Sequence, residues 1–312
     1  MDHSDMYKEC RLCPHRCGVD RTSKERGVCN QGDTMNIAWI GLHKGEEPPL
    51  SGECGSGTIF FTGCPLQCPS CQNIQISTRD TPFVHPVTVD ELAHYMIELQ
   101  QMGAASINLV TATHFIPSII DSIVIAKEMG LTLPVVYNSS GFEDVGAIEL
   151  IDPYIDLYLL DIKTLDEKVA SRFCACMKYP EVILSLLGFL QQRYEKTFID
   201  DKGYLHGLLI RHLVFPGSLE SSYEVLDYFA SHLKERAYLS LMVQYIDLEK
   251  KDNIDYISSQ QYEKLLQLLD FYGIENGFVQ ELEDNLEWIP DFTRRNPFPS
   301  SFATPLKSFI RS

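Results

Sequence analysis

Three cysteines on one short loop constrain this chain more than any other feature of its sequence. Cys64, Cys68 and Cys71 form the pattern Cys-x3-Cys-x2-Cys directly after an apolar run at residues 57–61. A structural zinc site takes four protein ligands, whereas three cysteines on a tight loop bind three irons of a 4Fe-4S cluster and leave the fourth iron open. The pattern predicts such a cluster. The alternative is a zinc site that takes a fourth cysteine from Cys54 or the N-terminal segment.

Four further cysteines lie near the start of the chain. Cys10, Cys13, Cys17 and Cys29 supply enough thiolates for one tetrahedral zinc ion or one auxiliary 4Fe-4S cluster. Residues 1–55 are rich in Cys, Gly, Arg and Pro and show little hydrophobic periodicity. Because such a segment buries little apolar surface, a metal would stand in for its missing core. We predict a small cysteine-rich metal-binding module, with zinc and a cluster both open.

Three other groups in the sequence have weaker interpretations. Four arginines lie between the N-terminal cysteines, and they lower the pKa of the thiols, face an acidic partner or are ordinary solvated charges: Arg11, Arg16, Arg21 and Arg26. Cys174 and Cys176 cannot chelate a metal by themselves and are expected to be small buried side chains. Glu46 and Glu47 are expected to contact the substrate or to pair with His43 or Lys44.

The rest of the chain alternates strand-like and helix-like segments. The strand-like runs lie at residues 57–61, 106–110, 134–137, 155–160, 208–215 and 238–243. Apolar residues recur three and four positions apart between them, and one helix begins with Thr88 and Glu91 as a capping box and ends at Gly103. Six strand–helix pairs predict an α/β fold, either a partial (β/α)6 barrel or a doubly wound sheet. In both architectures the site forms at the carboxyl ends of the strands.

The motifs in their order resemble the radical SAM superfamily, whose defining feature is the three-cysteine loop after the first strand of a partial (β/α)6 barrel. The segments that resemble its pyruvate formate-lyase-activating-enzyme-related branch are CRLCPHRCGVDR, GLHKGEEPPLSGECGSGTIFFTGC, CQNIQIS, NLVTATHFIP, PVVYNSSGFE, LYLLDIK, LLIRHLVFPG and LMVQY. The resemblance implies a cysteine-rich N-terminal module over residues 1–55, a radical SAM barrel over residues 56–282 and an irregular C-terminal tail over residues 283–312.

The same resemblance implies the cofactors and their residues. S-adenosylmethionine would bind the open iron of the 4Fe-4S cluster and be cleaved to a 5′-deoxyadenosyl radical that takes hydrogen from a substrate. Many members carry a Gly-Gly-Glu after the second strand, and this chain has NLVTATHFIP instead, so polar residues there would replace the glutamate. The predicted cofactor-binding residues are Gln72, Asn73, Asn108, Thr111, Thr113, Asn138, Ser139, Asp161, Lys163 and Arg211.

Several of these residues also have a purely structural interpretation. The threonines after the second strand would otherwise cap the next helix, and Asp161 with Lys163 would be a structural ion pair. Arg211 is expected to bind the methionine carboxylate, because a buried guanidinium needs an anion. His212, on the opposite face of the same strand, is expected to pack against a helix.

The net charge and the composition of the chain restrict its possible binding partners and its location. Lys and Arg number 26 against 43 Asp and Glu, a formal charge of −17, which argues against binding to nucleic acid and to anionic membranes. No apolar run suits a membrane span or an export signal, so a cytoplasmic, reducing location is expected.

Two classes of function are compatible with these features. The leading one is a radical SAM enzyme that receives electrons from flavodoxin or ferredoxin and acts on a glycine of a partner glycyl radical enzyme, or on another peptide or a small molecule. The other is a non-catalytic iron-sulfur or zinc protein that transfers electrons or binds a partner.

Overall fold

The computed structural model describes residues 3–245, 257–282 and 289–307. In this part of the chain, eleven strands, numbered in chain order, form one sheet. They are β1 (Met35–His43), β2 (Ser56–Phe61), β3 (His85–Val87), β4 (Ile107–Val110), β5 (Val135–Ser139), β6 (Leu157–Asp161), β7 (Phe198–Ile199), β8 (Leu205–Leu213), β9 (Ala237–Met242), β10 (Gly277–Val279) and β11 (Ala303–Lys307).

The order of the strands decides between the two predicted architectures. Neighbouring strands follow the path β10-β9-β8-β6-β5-β4-β2-β1-β11, with β3 beside β1 and β7 beside β8. From β2 to β10 each neighbouring pair on this path is parallel. A doubly wound sheet reverses its order at a switch point, and this sheet does not. The predicted α/β fold with a mostly parallel sheet is confirmed, and the doubly wound alternative is wrong.

The helices of the described residues connect these strands. They are α1 (Pro48–Ser51), α2 (Ile74–Ser77), α3 (Val89–Gln101), α4 (Ile116–Glu128), α5 (Val145–Ile151), α6 (Glu167–Phe173), α7 (Tyr179–Arg193), α8 (Leu219–His232) and α9 (Ser259–Tyr272). The predicted capping box of α3 is present, with the Glu91 amide donating to Thr88 Oγ1 at 3.2 Å and the Thr88 amide donating to Glu91 Oε2 at 2.9 Å. None of the helices in these ranges is long and apolar enough to cross a membrane.

The two faces of the sheet pack against different partners. Successive strand residues point to opposite faces, and on one face Tyr137 and Leu160 join the large core beneath the helices. On the other face, which we call the lumen, Val136 and Leu159 form a smaller apolar cluster with Leu50 of α1. Helix α1 therefore enters the lumen and carries the residues next to it into the interior.

No strand is predicted from the sequence at the positions of β1, β3, β7, β10 and β11. β1 falls within the predicted cysteine-rich module, and β11 falls within the predicted irregular tail. β1 is buried on both faces, so it lacks the alternation that marks a half-buried strand. β11 pairs with β1 from the far end of the chain, a partnership that local sequence does not encode. Residues 283–288 and 308–312 of the predicted tail lie outside the described residues.

Candidate functional site at the carboxyl ends of the strands

The three-cysteine loop leaves β2 through a glycine turn. Gly63 has a φ of +77°, and its amide donates to Ile76 O at 2.8 Å, which closes the loop onto α2. A β-carbon at this position would lie 2.8 Å from Gln31 Nε2 and 3.0 Å from Cys29 O, so both conformation and space favour glycine here. The Cys71 amide donates to Cys68 O at 3.2 Å. The loop therefore brings its three cysteines to the end of β2 in one compact turn.

The environment of the three thiols fits cluster ligands. Burial raises the pKa of Cys64 to about 12 and also raises the pKa of Cys71. The pKa of Cys68 is raised by its hydrogen bond with Cys174 and by burial. Buried thiols of this kind become thiolates when a metal takes the place of the proton. Three such donors on one loop match the set that binds three irons of a 4Fe-4S cluster.

The described residues contain no group of three or more His, Cys, Asp or Glu side chains gathered to hold a single metal ion. This finding applies to both cysteine sets. In a 4Fe-4S cluster each cysteine binds a different iron, so the loop does not need to gather its sulfurs around one ion.

A pocket of about 480 Å³ opens beside the cysteine loop. It is lined by the loop, by the carboxyl ends of the parallel strands and by the segment before α1. The predicted site residues that line it are Cys64, Cys68, Cys71, Gln72, Asn73, Thr111, Asn138, Ser139, Asp161, Lys163 and Arg211. The structure therefore brings eleven predicted residues from five parts of the chain to one pocket.

Asp161 and Lys163 form an ion pair at the end of β6. Lys163 Nζ lies 2.7 Å from Asp161 Oδ2, and both side chains are about one quarter exposed or less. Burial lowers the pKa of Lys163, but the Asp161 carboxylate outweighs it, so the pKa stays well above its usual value. The phenol of Tyr179 donates to Asp161 O at 2.7 Å and accepts from the Lys163 amide at 3.1 Å. The pair is thus held in place from behind by a buried tyrosine.

A buried carboxylate that the sequence analysis does not identify, Glu143, orders the neighbouring strand end. It accepts hydrogen bonds from Thr113 Oγ1 at 2.7 Å, from Tyr137 at 3.2 Å and from the Ser139 hydroxyl. Burial raises the pKa of Glu143 to about 7, although the three hydroxyls oppose that shift. Its signal in the sequence is an acidic residue four positions after Ser139, in the segment YNSSGFE.

Two predicted cofactor-binding residues lie away from the pocket lining. Thr113 is 3% exposed and directs its hydroxyl to Glu143. Asn108 is fully buried, and neither atom of its amide has a hydrogen-bond partner. The alternation of side chains along β4 places Asn108 in the lumen, but two residues short of the strand end at Val110. The sequence shows which strand positions face the lumen, but it does not show how far the pocket extends along each strand.

The two histidines of the strand ends are structural. His114 Nε2 lies 2.8 Å from Thr62 O, and burial lowers its pKa to about 3. His212 Nδ1 lies 2.7 Å from Ile162 O, and burial lowers its pKa to about 4. Both are neutral rings in contact with backbone carbonyls.

Arg211 reaches two carboxylates of the chain itself. Its Nε donates to Glu47 Oε1 at 2.7 Å, and its Nη2 donates to Glu47 Oε2 at 2.5 Å and to Glu46 Oε2 at 2.6 Å. The carboxylate of Glu46 also lies 3.3 Å from His43 Nδ1. Burial raises the pKa of Glu46, but Arg211 and His43 outweigh it and lower the pKa to about 2. The anion expected opposite Arg211 is therefore supplied by the segment before α1.

The N-terminal cysteines lie against the other side of the cysteine loop. His15 Nε2 is 2.9 Å from Pro65 O, and Gln67 Nε2 donates to Val28 O at 2.9 Å. Cys10, Cys13 and Cys29 are buried, and Cys17 is half-buried. Cys54 is exposed.

Comparison with known proteins gives a family for the central part of the chain. Residues 58–199 match the family model of the radical SAM superfamily. An uncharacterized protein of Methanocaldococcus jannaschii is 28% identical over 280 residues, which cover 87% of this chain and 77% of that protein. The solved structure of methylornithine synthase is similar in fold, with a TM-score of 0.51 and 15% identity over 77% of this chain and 76% of that one.

SuiB of Streptococcus suis matches with a TM-score of 0.49 and 13% identity over 70% of this chain. The match spans 47% of SuiB, about half of its length.

Fold and site together define an α/β protein with a mostly parallel sheet and an iron-sulfur type of cysteine loop at the carboxyl end of β2. Residues 58–199 are the part of the chain that is similar to the radical SAM superfamily. They contain the three loop cysteines and every predicted cofactor-binding residue except Arg211. Similarity to this superfamily implies a 4Fe-4S cluster and S-adenosylmethionine as cofactors.

Proposed function

We propose that this chain is a radical SAM enzyme that cleaves S-adenosylmethionine reductively and takes a hydrogen atom from a substrate. The observation that carries the proposal is the position of Cys64, Cys68 and Cys71, which open into the pocket at the strand ends. When bound there, the cluster and S-adenosylmethionine supply methionine and a 5′-deoxyadenosyl radical from one electron. The match of residues 58–199 to the radical SAM family supports this function.

The residues of the pocket would bind and orient the cofactor. Gln72 and Asn73 follow the last loop cysteine, and Asn138 presents an uncharged amide at the end of β5. The ion pair of Asp161 and Lys163 offers one acceptor and one donor beside them. Lys163 also places a positive charge near Cys68, which favours a thiolate at that position.

Three predicted residues receive positioning roles. The hydroxyls of Ser139 and Thr113 both donate to Glu143, so these residues would fix the shape of the β5 end. Arg211 would hold Glu46 and Glu47 in the lumen, because a guanidinium already engaged by two carboxylates has little capacity for a third.

For the substrate, we propose a glycine of a partner glycyl radical enzyme, with another peptide or a small molecule as the alternative, and flavodoxin or ferredoxin as the electron donor in the cytoplasm. Adding a purified glycyl radical enzyme from the same organism should produce a glycyl radical signal in electron paramagnetic resonance. Hydrogen abstraction from a small molecule with no such signal would favour the alternative.

The proposal is tested by the response of the reduced, reconstituted protein to S-adenosylmethionine in electron paramagnetic resonance. A cluster with an open iron changes its spectrum when the cofactor binds, whereas a cluster closed by four cysteines has no position for it. We expect a cofactor-dependent change in the wild type and in Cys176→Ala, and none in Cys68→Ala. An iron-containing wild type whose spectrum never responds would contradict the proposal and favour an electron-transfer protein.

A further inference from the structure

A buried arginine in the N-terminal segment has no carboxylate partner among the residues described. Arg21 is 1% exposed. Its Nη1 donates to His114 O at 2.6 Å and its Nε to Gln31 O at 3.1 Å, and Nη2 bonds to Gly32 O. The guanidinium also lies over the ring of Tyr7, 4.6 Å from the centroid. These contacts satisfy its donors.

These contacts leave the positive charge of Arg21 without a carboxylate to neutralise it. Carbonyl groups and aromatic faces attract a cation but do not neutralise it, and an isolated buried charge is costly. Within residues 3–245, 257–282 and 289–307, Arg21 forms no ion pair with an aspartate or glutamate. The remaining contact of the guanidinium is with a sulfur: Arg21 Nη1 donates to Cys10 Sγ at 3.6 Å. A thiolate at Cys10 would supply the missing negative charge.

Cys10 is one of four neighbouring cysteines. The Cys13 thiol interacts electrostatically with Cys10, Cys17 and Cys29, and a β-carbon on Gly27 would lie 2.8 Å from Cys17 Sγ. As placed, no three of these sulfurs surround one metal position. Rotation about a single side-chain bond redirects each sulfur, and metal binding would draw the four sulfurs toward one another.

We propose that Cys10, Cys13, Cys17 and Cys29 bind a metal through four thiolates, and that Arg21 is the buried counter-ion of this centre. A zinc ion with four thiolates carries a net negative charge, as does a 4Fe-4S cluster with four cysteines. A guanidinium in contact with one of the sulfurs offsets part of that charge. The pairing explains why an arginine is buried where no carboxylate of the described residues faces it.

The proposed metal centre would support the three-cysteine loop from behind. Arg21 donates to His114 O, and the His114 ring in turn contacts Thr62 O, two residues before Cys64. Together with the contacts of His15 and Gln67, this places the N-terminal segment directly behind the loop. The inference does not depend on the proposed function, because a structural metal would do this in an enzyme or in an electron carrier.

The test is the metal content of the full chain without its loop cysteines. A variant with Cys64→Ala, Cys68→Ala and Cys71→Ala, purified without oxygen or chelator, should retain about one zinc ion or about four irons per chain. Element analysis by mass spectrometry identifies which. Adding Cys13→Ala should remove that metal, whereas adding Cys54→Ala, at an exposed cysteine, should not.

A folded loop variant that holds neither zinc nor iron would overturn the proposal. Retention of the metal after Cys13→Ala would overturn it equally. If the variant with the added Cys13→Ala does not fold, the metal content of the variant that lacks only the three loop cysteines still tests the proposal. None of these outcomes depends on cleavage of S-adenosylmethionine.

The role of Arg21 has its own test. Groups that support metal ligands from behind typically change metal affinity 10- to 100-fold when removed, so Arg21→Met should release its metal to a chelator at least about tenfold faster. Arg21→Lys, which keeps the charge, should restore part of the difference. Arg26→Met, at an exposed arginine of the same segment, is the control. Equal release rates for Arg21→Met and Arg26→Met would overturn the counter-ion role.

Discussion

The Arg211 guanidinium binds the Glu47 carboxylate through two nitrogens, at 2.7 and 2.5 Å. The two residues are 164 positions apart, and the contact joins the segment before α1 to β8 across the lumen. A bidentate pair of this kind fixes orientation as well as distance. It therefore sets the position of α1, whose Leu50 packs into the lumen cluster.

Loss of Arg211 should be strongly destabilising. Arg211→Met leaves Glu46 and Glu47 buried without their cation, and breaking a buried pair in this way costs about 3–5 kcal/mol. Glu47→Gln should cost less, because Arg211 keeps Glu46. The measurement is the free energy of unfolding by denaturant.

Arg294→Met is the matched control for that series. Arg294 pairs with Asp291 at the surface and is 75% exposed, so its loss should change stability by no more than about 0.5 kcal/mol. An Arg211→Met protein as stable as this control would show that the lumen pair does not stabilise the fold.

The turn at Gly63 should tolerate no side chain. Gly63→Ala adds a β-carbon at positive φ that also meets Cys29 O and Gln31. Gly203→Ala has a similar φ of +86° with open space around it, and it isolates the conformational cost of about 1 kcal/mol. We expect Gly63→Ala to lose clearly more unfolding free energy, and also iron content after reconstitution. Equal losses in the two variants would contradict close packing behind the loop.

Glu143 should make stability depend on pH. Its pKa is raised from 4.5 to about 7 by burial, so the folded state binds more protons than the unfolded state between these values. By linkage, this contribution to stability falls as the pH rises from about 4.5 to about 7, and it stays low above that range.

Glu143→Gln removes this titration. The difference in unfolding free energy between wild type and variant should decline through that pH range, as measured by denaturant unfolding at a series of pH values. Tyr137, Tyr158 and Asp144 are titratable groups that interact with Glu143, and all three are unchanged in the variant. A difference that is constant across this pH range would show that Glu143 has the same pKa in the folded and in the unfolded chain.

The pocket boundary predicts which asparagine affects cofactor binding. Asn138 lines the pocket and Asn108 does not. Because one hydrogen bond contributes about 1 kcal/mol, Asn138→Ala should weaken the binding of S-adenosylmethionine about fivefold to tenfold by equilibrium dialysis. Asn108→Ala should leave it unchanged. Equal effects of the two substitutions would place the cofactor elsewhere in the lumen.

Local patterns in the sequence predict much of this fold. The six predicted strands correspond to β2, β4, β5, β6, β8 and β9, because each is an apolar run between helices with regular spacing. β1, β3, β7, β10 and β11 are missed. β1 has no alternation because both of its faces are buried, and the other four are strands of two to five residues, which offer few positions for a pattern.

For the candidate site, too, the sequence indicates positions along the strands but not the contacts between distant residues. The sequence indicates which residues lie at strand ends, and most of these line one pocket because parallel strands bring their carboxyl ends together. The partners of these residues are not predicted, since Glu46 and Glu47 reach Arg211 only after α1 enters the lumen. Glu143 is missed for a similar reason: its three hydroxyl partners come from three different positions that meet only in the folded chain.

The most direct test of the account is formation of 5′-deoxyadenosine by the anaerobically reconstituted protein with S-adenosylmethionine and dithionite, measured by mass spectrometry. The account predicts product from wild type and from Cys54→Ala, and none from Cys68→Ala. A wild type that holds its iron and forms no 5′-deoxyadenosine, or a Cys68→Ala variant that still forms it, would contradict radical chemistry at this cysteine loop.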